Sequence, residues 1–390
     1  MIVRQIEKEV IAAASEYPVL TIIGPRQSGK TTLVKMVFPG HQYVNLESPE
    51  LRSLALDDPK TLLKRFQPPV ILDEIQNVPE LLSWIQTIVD ENPVQKARFI
   101  LTGSNQLQLR EQVSQSLAGR TALLTLLPFS ITELKNYNFT GERADLILKG
   151  FMPRVHQESI RPNRAYRDYY QTYIERDVRR LISLEKRIEF EQFIKILAAR
   201  VGQELNLNSI SGQIGVSSPQ LKKWLSILEA SFIIFRLPPY FKNLGKRITK
   251  SPKLYFLDVG LVCYLLGIET AEQVERDPLF GNIFENMIIL EAFKNRHNRG
   301  KEPSLYFYRD HNQNELDLLF PSGSNFIPIE IKSSRTFNKR FLRGVEYFQK
   351  ISNTNAKGIL IYDGDLEITT DTYSTVNFRN FEKLVSPDLK

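Results

Sequence analysis

Short apolar runs alternate with helix-like segments from residue 19 to about residue 130, the pattern of an α/β fold built on a parallel sheet. Val19 to Ile23 reads as a buried strand, and residues 31–37 read as the helix that follows it. Val70-Ile71-Leu72 and Phe99-Ile100-Leu101 are two more continuous apolar strands, and residues 44–47 are expected to pair beside the strand that ends at Asp73. Further on the period changes. Phe190, Phe193, Ile194 and Leu197 recur at helical spacing over 190–200. A short helix over 208–213 and a turn at Gly215 precede a third helix over 220–229, for which Ser217, Ser218 and Pro219 supply the N-cap and first turn. Strands over 233–237 and 254–258 close this part. In the last third, residues 281–290 read as an apolar helix, and 305–309, 314–320 and 326–332 as strands, the last two joined by the turn 321–325. An amphipathic helix over 341–349 and a strand over 358–362 follow.

The first strand leads into Gly24-Pro25-Arg26-Gln27-Ser28-Gly29-Lys30-Thr31-Thr32. A strand, a glycine-rich loop and a helix in that order converge backbone N–H groups and a helix N-terminus on phosphate oxygens. Lys30 would reach the β/γ-phosphates and the Thr31 hydroxyl would bind Mg²⁺, so ATP and Mg²⁺ are the expected cofactors. Asp73, closing its strand, would hold Mg²⁺ directly or through water, and Glu74 would polarise the water that attacks the γ-phosphate. Thr102, Ser104 or Asn105 either contacts the γ-phosphate or that water, or simply forms a polar turn. Glu47 supports the site or caps its strand. Arg120, in Ser116-Leu117-Ala118-Gly119-Arg120, either reaches a γ-phosphate within the chain or across a subunit interface, or is an ion-paired surface arginine. These motifs resemble the AAA family of ATPases, in its compact prokaryotic branch. The resemblance covers residues 1–135 and implies Mg²⁺-ATP hydrolysis coupled to a conformational change. A second sensor arginine is not evident, which leaves a homo-oligomeric ring open.

A chain of 390 residues suggests two or three domains, and 42% apolar with 24% charged residues marks a globular protein. The lone Cys263 fits a reducing compartment, and neither a signal peptide nor a bilayer-spanning run is read, so a cytoplasmic, membrane-free protein is expected. The four histidines have no zinc-site spacing. Net charge is +7, and Arg236, Lys242, Lys246, Arg247, Lys250 and Lys253 share the segment 236–253 with no acidic residue among them. That segment suits a polyanion such as DNA, or forms a solvated face. Helix, helix, turn, helix, strand, loop, strand is the outline of a winged helix. Its third helix would enter a groove through Ser217, Ser218, Gln220, Lys222 and Lys223, unless the domain serves protein contacts instead. Tyr166, Tyr169, Tyr170 and Tyr173 are expected to pack between domains.

Strand alternation sets Asp317, Glu330 and Lys332 on facing positions of the C-terminal hairpin, with Glu285 arriving from the apolar helix. Three carboxylates make a hard oxygen site for Mg²⁺ or Mn²⁺, and Lys332 would assist the attacking water. Asp…Glu-x-Lys after a helical Glu resembles the PD-(D/E)xK nuclease fold, with Leu316 in place of the naming proline. Residues 166–332 also resemble the C-terminal domain of unknown function that accompanies this AAA branch. The expected architecture is therefore α/β in three parts. A P-loop parallel-sheet ATPase spans 1–160, a winged helix-turn-helix 161–265, and an α/β restriction-endonuclease-like domain 266–390. Two functions fit: an ATPase that controls DNA binding and cleavage, or an ATP-switched DNA- or protein-binding module with an inactive nuclease fold.

Overall fold

The computed structural model describes residues 2–104, 109, 112–113, 115–139, 141–178, 186–240 and 251–382. Asn105, Lys242, Lys246, Arg247 and Lys250 lie outside the described residues. The chain divides into two compact units. One comprises Met1–Phe129 with Ala230–Phe232 and Arg296–Lys301, and the other Ser130–Glu229, Ile233–Asn295 and Glu302–Lys390. No helix among the described residues is long and apolar enough to cross a membrane.

The first unit opens with helix α1 (Glu7–Glu16), strand β1 (Val19–Ile23) and helix α2 (Lys30–Val37). Strand β2 (Gln42–Asn45), helices α3 (Pro49–Asp57) and α4 (Pro59–Arg65), and strand β3 (Val70–Asp73) follow, then helix α5 (Leu81–Glu91), strand β4 (Phe99–Gly103) and strand β5 (Thr121–Thr125). All pairings are parallel, in the order β2-β3-β4-β1-β5. Residues of β1, β3 and β4 are buried throughout, as continuous apolar runs covered on both faces must be. Because the strands are parallel, Gly24, Glu74 and Ser104 all leave the same edge of the sheet. β2 pairs with β3 as expected, and Glu47 is exposed in the turn beyond it, where its N–H donates to Asn45 Oδ1.

In the second unit, a helix from Pro162 continues in wider, π-type turns to Val178, and its four tyrosines are buried within the unit. Helices α6 (Arg187–Ala199), α7 (Leu207–Ile214) and α8 (Ser218–Ala230) precede an antiparallel ribbon of β6 (Ile234–Leu237) and β7 (Lys253–Phe256). Helix α9 (Phe280–His297) leads to a sheet of order β12-β11-β10-β9-β8. Its strands are β8 (Tyr306–Arg309), β9 (Glu315–Ser322), β10 (Asn325–Lys332), β11 (Gly358–Tyr362) and β12 (Tyr373–Asn377), with helix α10 (Arg343–Ser352) crossing from β10 to β11. β8, β9 and β10 form an antiparallel meander, whereas β10, β11 and β12 run parallel. The hairpin turn is tighter than the sequence suggests. Ser322 pairs with Asn325, so Gly323 and Ser324 alone make the turn, Gly323 at φ +59°.

Two fastenings hold α9. Asn286 exchanges hydrogen bonds of 2.8 Å with both the N–H and the carbonyl of Phe256. Further along, Glu291 accepts from Lys294 Nζ and from the Ile131 N–H, each at 2.8 Å, while Lys294 is 1% exposed. Removing one partner of such a buried pair leaves the other charge stranded. Lys294→Met is therefore expected to destabilise the protein by about 3–5 kcal/mol, read as a lower urea midpoint; an unchanged midpoint contradicts this role.

Candidate functional site

The phosphate-loop sequence has a tightly defined shape. Gly24 packs so closely on the loop after β5 that a Cβ would lie 2.0 Å from the Leu126 oxygen. Gly29, at φ +91°, provides the left-handed turn into α2. Pro25 and Ser28 are buried, Arg26 is half-buried, and Gln27 and Thr32 are exposed. Lys30 is buried, and its Nζ donates to the carbonyls of Gly24 at 3.1 Å and Pro25 at 2.9 Å. Burial pushes the lysine below its ordinary pKa, while Glu74 and Asp73 oppose that shift. Beneath the loop the buried Arg4 donates to the Ser28 carbonyl at 2.8 Å and the Leu127 carbonyl at 2.6 Å.

Asp73 gathers hydroxyls from three elements. Thr31 and Tyr43 donate to its Oδ2 at 2.9 and 2.7 Å, and Thr102 donates to Oδ1. Burial and then the bond to Asp73 raise the Tyr43 pKa. Glu74 follows in the left-handed region (φ +58°, ψ +49°), a strained place for a side-chain-bearing residue that turns it out of the strand path. Its Oε2 accepts from Ser104 Oγ at 3.1 Å and from the Gln76 amide. The hydroxyl of Thr31 and the carboxylate of Asp73 are adjacent hard oxygen donors, a set that fits Mg²⁺ beside a phosphate.

Arg120 departs from expectation. It forms a bidentate pair with Asp90, 2.6 and 2.9 Å, and its carbonyl accepts from the N–H of Val19, the first residue of β1. The phosphate loop leaves the other end of that strand, five residues or roughly 16 Å away. A γ-phosphate contact within the same chain is thereby corrected, since the guanidinium lies at the wrong end of the sheet.

The C-terminal acids come together and pair with lysines. The hairpin register, continued past Ile329 opposite Leu318, sets Glu330 across from Asp317. Asp317 Oδ2 accepts from the Ile331 N–H at 2.8 Å and from Lys332 at 3.2 Å, and Lys332 lies 2.7 Å from Glu330 Oε1. Glu285 accepts from Lys253 at 2.9 Å and Tyr255 at 2.5 Å, neighbours on one face of β7. Lys253 also pairs with Glu315 at 2.5 Å. Among the described residues no group of three or more His, Cys, Asp or Glu is arranged to hold a metal ion. The lysines hold one oxygen of each acid, Glu285 Oε1, Asp317 Oδ2 and Glu330 Oε1, and a metal-ligating role for the three stays a proposal. The basic segment changes as well, for Lys253 is 3% exposed in this cluster and Arg236 pairs with Glu229 at 2.6 Å.

Residues 16–135 match the AAA domain family, residues 141–272 a domain of unknown function, DUF8612, and residues 280–381 another, DUF4143. An uncharacterized protein of Mycobacterium tuberculosis is 30% identical over 325 residues, 82% of this chain and 71% of its own length. The chain belongs to this AAA-domain family. A Haemophilus influenzae relative, also uncharacterized, is 24% identical over 306 residues, 70% of this chain and 74% of its own. A solved Walker-type ATPase of Pyrococcus abyssi is 14% identical and covers 67% of this chain and 94% of its own, with a TM-score of 0.45. The AAA-domain protein thus carries a P-loop ATPase domain followed by a DUF4143 domain.

Several of its site residues escaped sequence reading. Tyr43 and Gln76 belong to no loop pattern, and Arg4 lies far upstream of the motif it supports. Lys253 was legible only as part of a basic run, although its i, i+2 spacing to Tyr255 on a strand placed both on one face. One electrostatic consequence is testable. Burial, then the Asp317 charge, pushes Glu330 from 4.5 up to about 8, against the pull of Lys332. A carboxyl with a raised native pKa stabilises the fold below its unfolded pKa and loses that contribution as pH rises through the native one. In metal-free buffer, Glu330→Gln should therefore gain stability relative to wild type between about pH 4.5 and 8, by up to about 1.4 kcal/mol per pH unit. Urea titrations at several pH values check this, and a pH-independent difference contradicts it.

Proposed function

We propose that this AAA-domain protein is an Mg²⁺-dependent ATPase whose nucleotide cycle governs a nucleic-acid-binding C-terminal region. The observation that supports it most is the meeting of Lys30, Thr31, Asp73, Thr102 and Glu74 at one edge of a parallel sheet. Thr31 and Asp73 would hold Mg²⁺, which when bound compensates charge on the phosphate oxygens. Lys30 exchanges the carbonyls of Gly24 and Pro25 for β/γ-phosphate oxygens. Glu74, released from Ser104 and Gln76, accepts a hydrogen bond from the attacking water and draws off its proton. The water oxygen bonds to the γ-phosphorus, the bond to the bridging oxygen breaks, and ADP and phosphate leave. A role for Arg120 at a phosphate then belongs to a neighbouring copy, so a homo-oligomer is part of this reading.

For the second unit, exposed Lys222 and Lys223 on α8, near Ser217 and the half-buried Gln220, support contact with a DNA backbone through a winged helix. The helix, three-stranded meander, helix and parallel strands from α9 to β11 support a nuclease-like ancestry. The lysine-paired state of Glu285, Asp317 and Glu330 favours binding over cutting. Incubation with plasmid DNA and Mg²⁺ or Mn²⁺ decides between them. Retention without cleavage is expected, whereas cleavage that both Glu330→Ala and Lys332→Ala abolish would establish the nuclease.

The ATPase reading predicts a clean split. Lys30→Ala should weaken ATP binding by about 100-fold, measured by equilibrium dialysis. Glu74→Gln should keep that binding and lose turnover by about 10²–10⁴-fold. Native turnover in Glu74→Gln would remove the water-activating role.

A further inference from the structure

Strands β1 and β5 pair in parallel as far as Ile23 opposite Thr125, and the ladder takes one more step, from the Leu126 N–H to the Ile23 carbonyl at 2.8 Å. There the two segments part: Gly24 begins the phosphate loop, and residues 126–129 run on from β5. Arg4 bridges them again further out. Its Nη1 donates to the Ser28 carbonyl at 2.8 Å and its Nη2 to the Leu127 carbonyl at 2.6 Å. The Phe129 ring lies 4.9 Å from the guanidinium carbon.

The residues around Arg4 explain how it is delivered. Ile6 and Val10 are fully buried in the core cluster that includes Leu20, Ile22 and Leu33, so the start of α1 is anchored against β1 and α2. The Glu7 N–H turns back on the Arg4 carbonyl at 3.1 Å. Arg4 is 6% exposed, and a buried guanidinium is costly unless acceptors meet it. Two of its acceptors are backbone carbonyls of separate segments, so the arginine staples the loop to the chain after β5.

The effect on the loop follows from peptide geometry. The Ser28–Gly29 peptide is trans, so its carbonyl and its N–H point in opposite directions. With the carbonyl drawn onto Nη1, the Gly29 N–H is turned away from the arginine. The guanidinium sits close beneath this peptide, for a Cβ on Gly29 would lie 3.6 Å from Nη1. Glycine tolerates either sign of φ, so a flip of this peptide is sterically cheap and a contact from outside the loop must select its orientation.

We propose that Arg4 is a positioning residue for the nucleotide: by holding the Ser28 carbonyl, it selects the orientation in which the Gly29 N–H faces the phosphate oxygens. The inference rests on the ATPase reading of the loop, and it gives a part in ATP affinity to a side chain outside the motif.

The test is equilibrium dialysis of the full chain against Mg²⁺ and a non-hydrolysable ATP analogue, with thermal melts confirming the folded state. Arg4→Met keeps most of the side-chain bulk and removes both donors. It should bind the analogue about tenfold more weakly than wild type. In steady-state ATP turnover the loss should fall on KM more than on kcat, because a loop N–H holds a phosphate oxygen in ground and transition states alike. Arg4→Lys, the second variant should Arg4→Met not fold, keeps the charge without the planar fork and should bind about threefold more weakly. A merely structural role would lower the melting temperature and leave the affinity of the folded protein unchanged. Wild-type affinity in either folded variant therefore overturns the positioning role while the ATPase reading stands. If wild type itself binds neither the analogue nor ATP, that reading falls and the proposal falls with it.

Discussion

Three hydroxyls, from α2, β2 and β4, converge on the single carboxylate of Asp73. A buried carboxylate is costly unless its oxygens are met by donors, and here the donors come from elements that only the parallel sheet brings together. The sheet order places β4 between β1 and β3, so the loop after β1, the acids after β3 and the small polar residues after β4 share one edge. Everything the nucleotide site can do follows from that convergence. Lys30 points into the loop, Asp73 is orientationally fixed, and Glu74 is turned out of its strand by a left-handed backbone. The loop carbonyls occupy the lysine, and Ser104 with Gln76 occupies the glutamate.

The second unit solves a similar problem differently. Its carboxylates are met by ammonium groups as well as by N–H and O–H donors, which compensates the charge of the buried members. Two of these pairings cross from one structural element to another: ribbon to helix at Lys253 and Glu285, ribbon to sheet at Lys253 and Glu315. Removing the partners of the buried Lys253 would strand its charge, so these pairs fix where the ribbon sits.

What could be read in the sequence was set by periodicity and spacing. The continuous apolar strands, the glycine pattern and the Asp73-Glu74 ending were all local, and each landed where expected. Helices α6 to α8 and the C-terminal meander were equally legible, to within a few residues at their ends. Partners fixed by the tertiary fold were not. Nothing near Arg120 announces Asp90, thirty positions earlier in the chain. A run of basic residues looks alike whether its members face solvent or, as Lys253 does, point inward at acids. The C-terminal acids show the same limit: the three carboxylates were correctly juxtaposed, but the second lysine that pairs with them comes from a distant strand.

The most direct test of the central claim is steady-state phosphate release by the purified full-length chain, with ATP and Mg²⁺ and again with the metal chelated. Release that saturates with ATP and stops on chelation is the predicted result. ATP that binds in the presence of Mg²⁺ yet is never turned over would contradict the account.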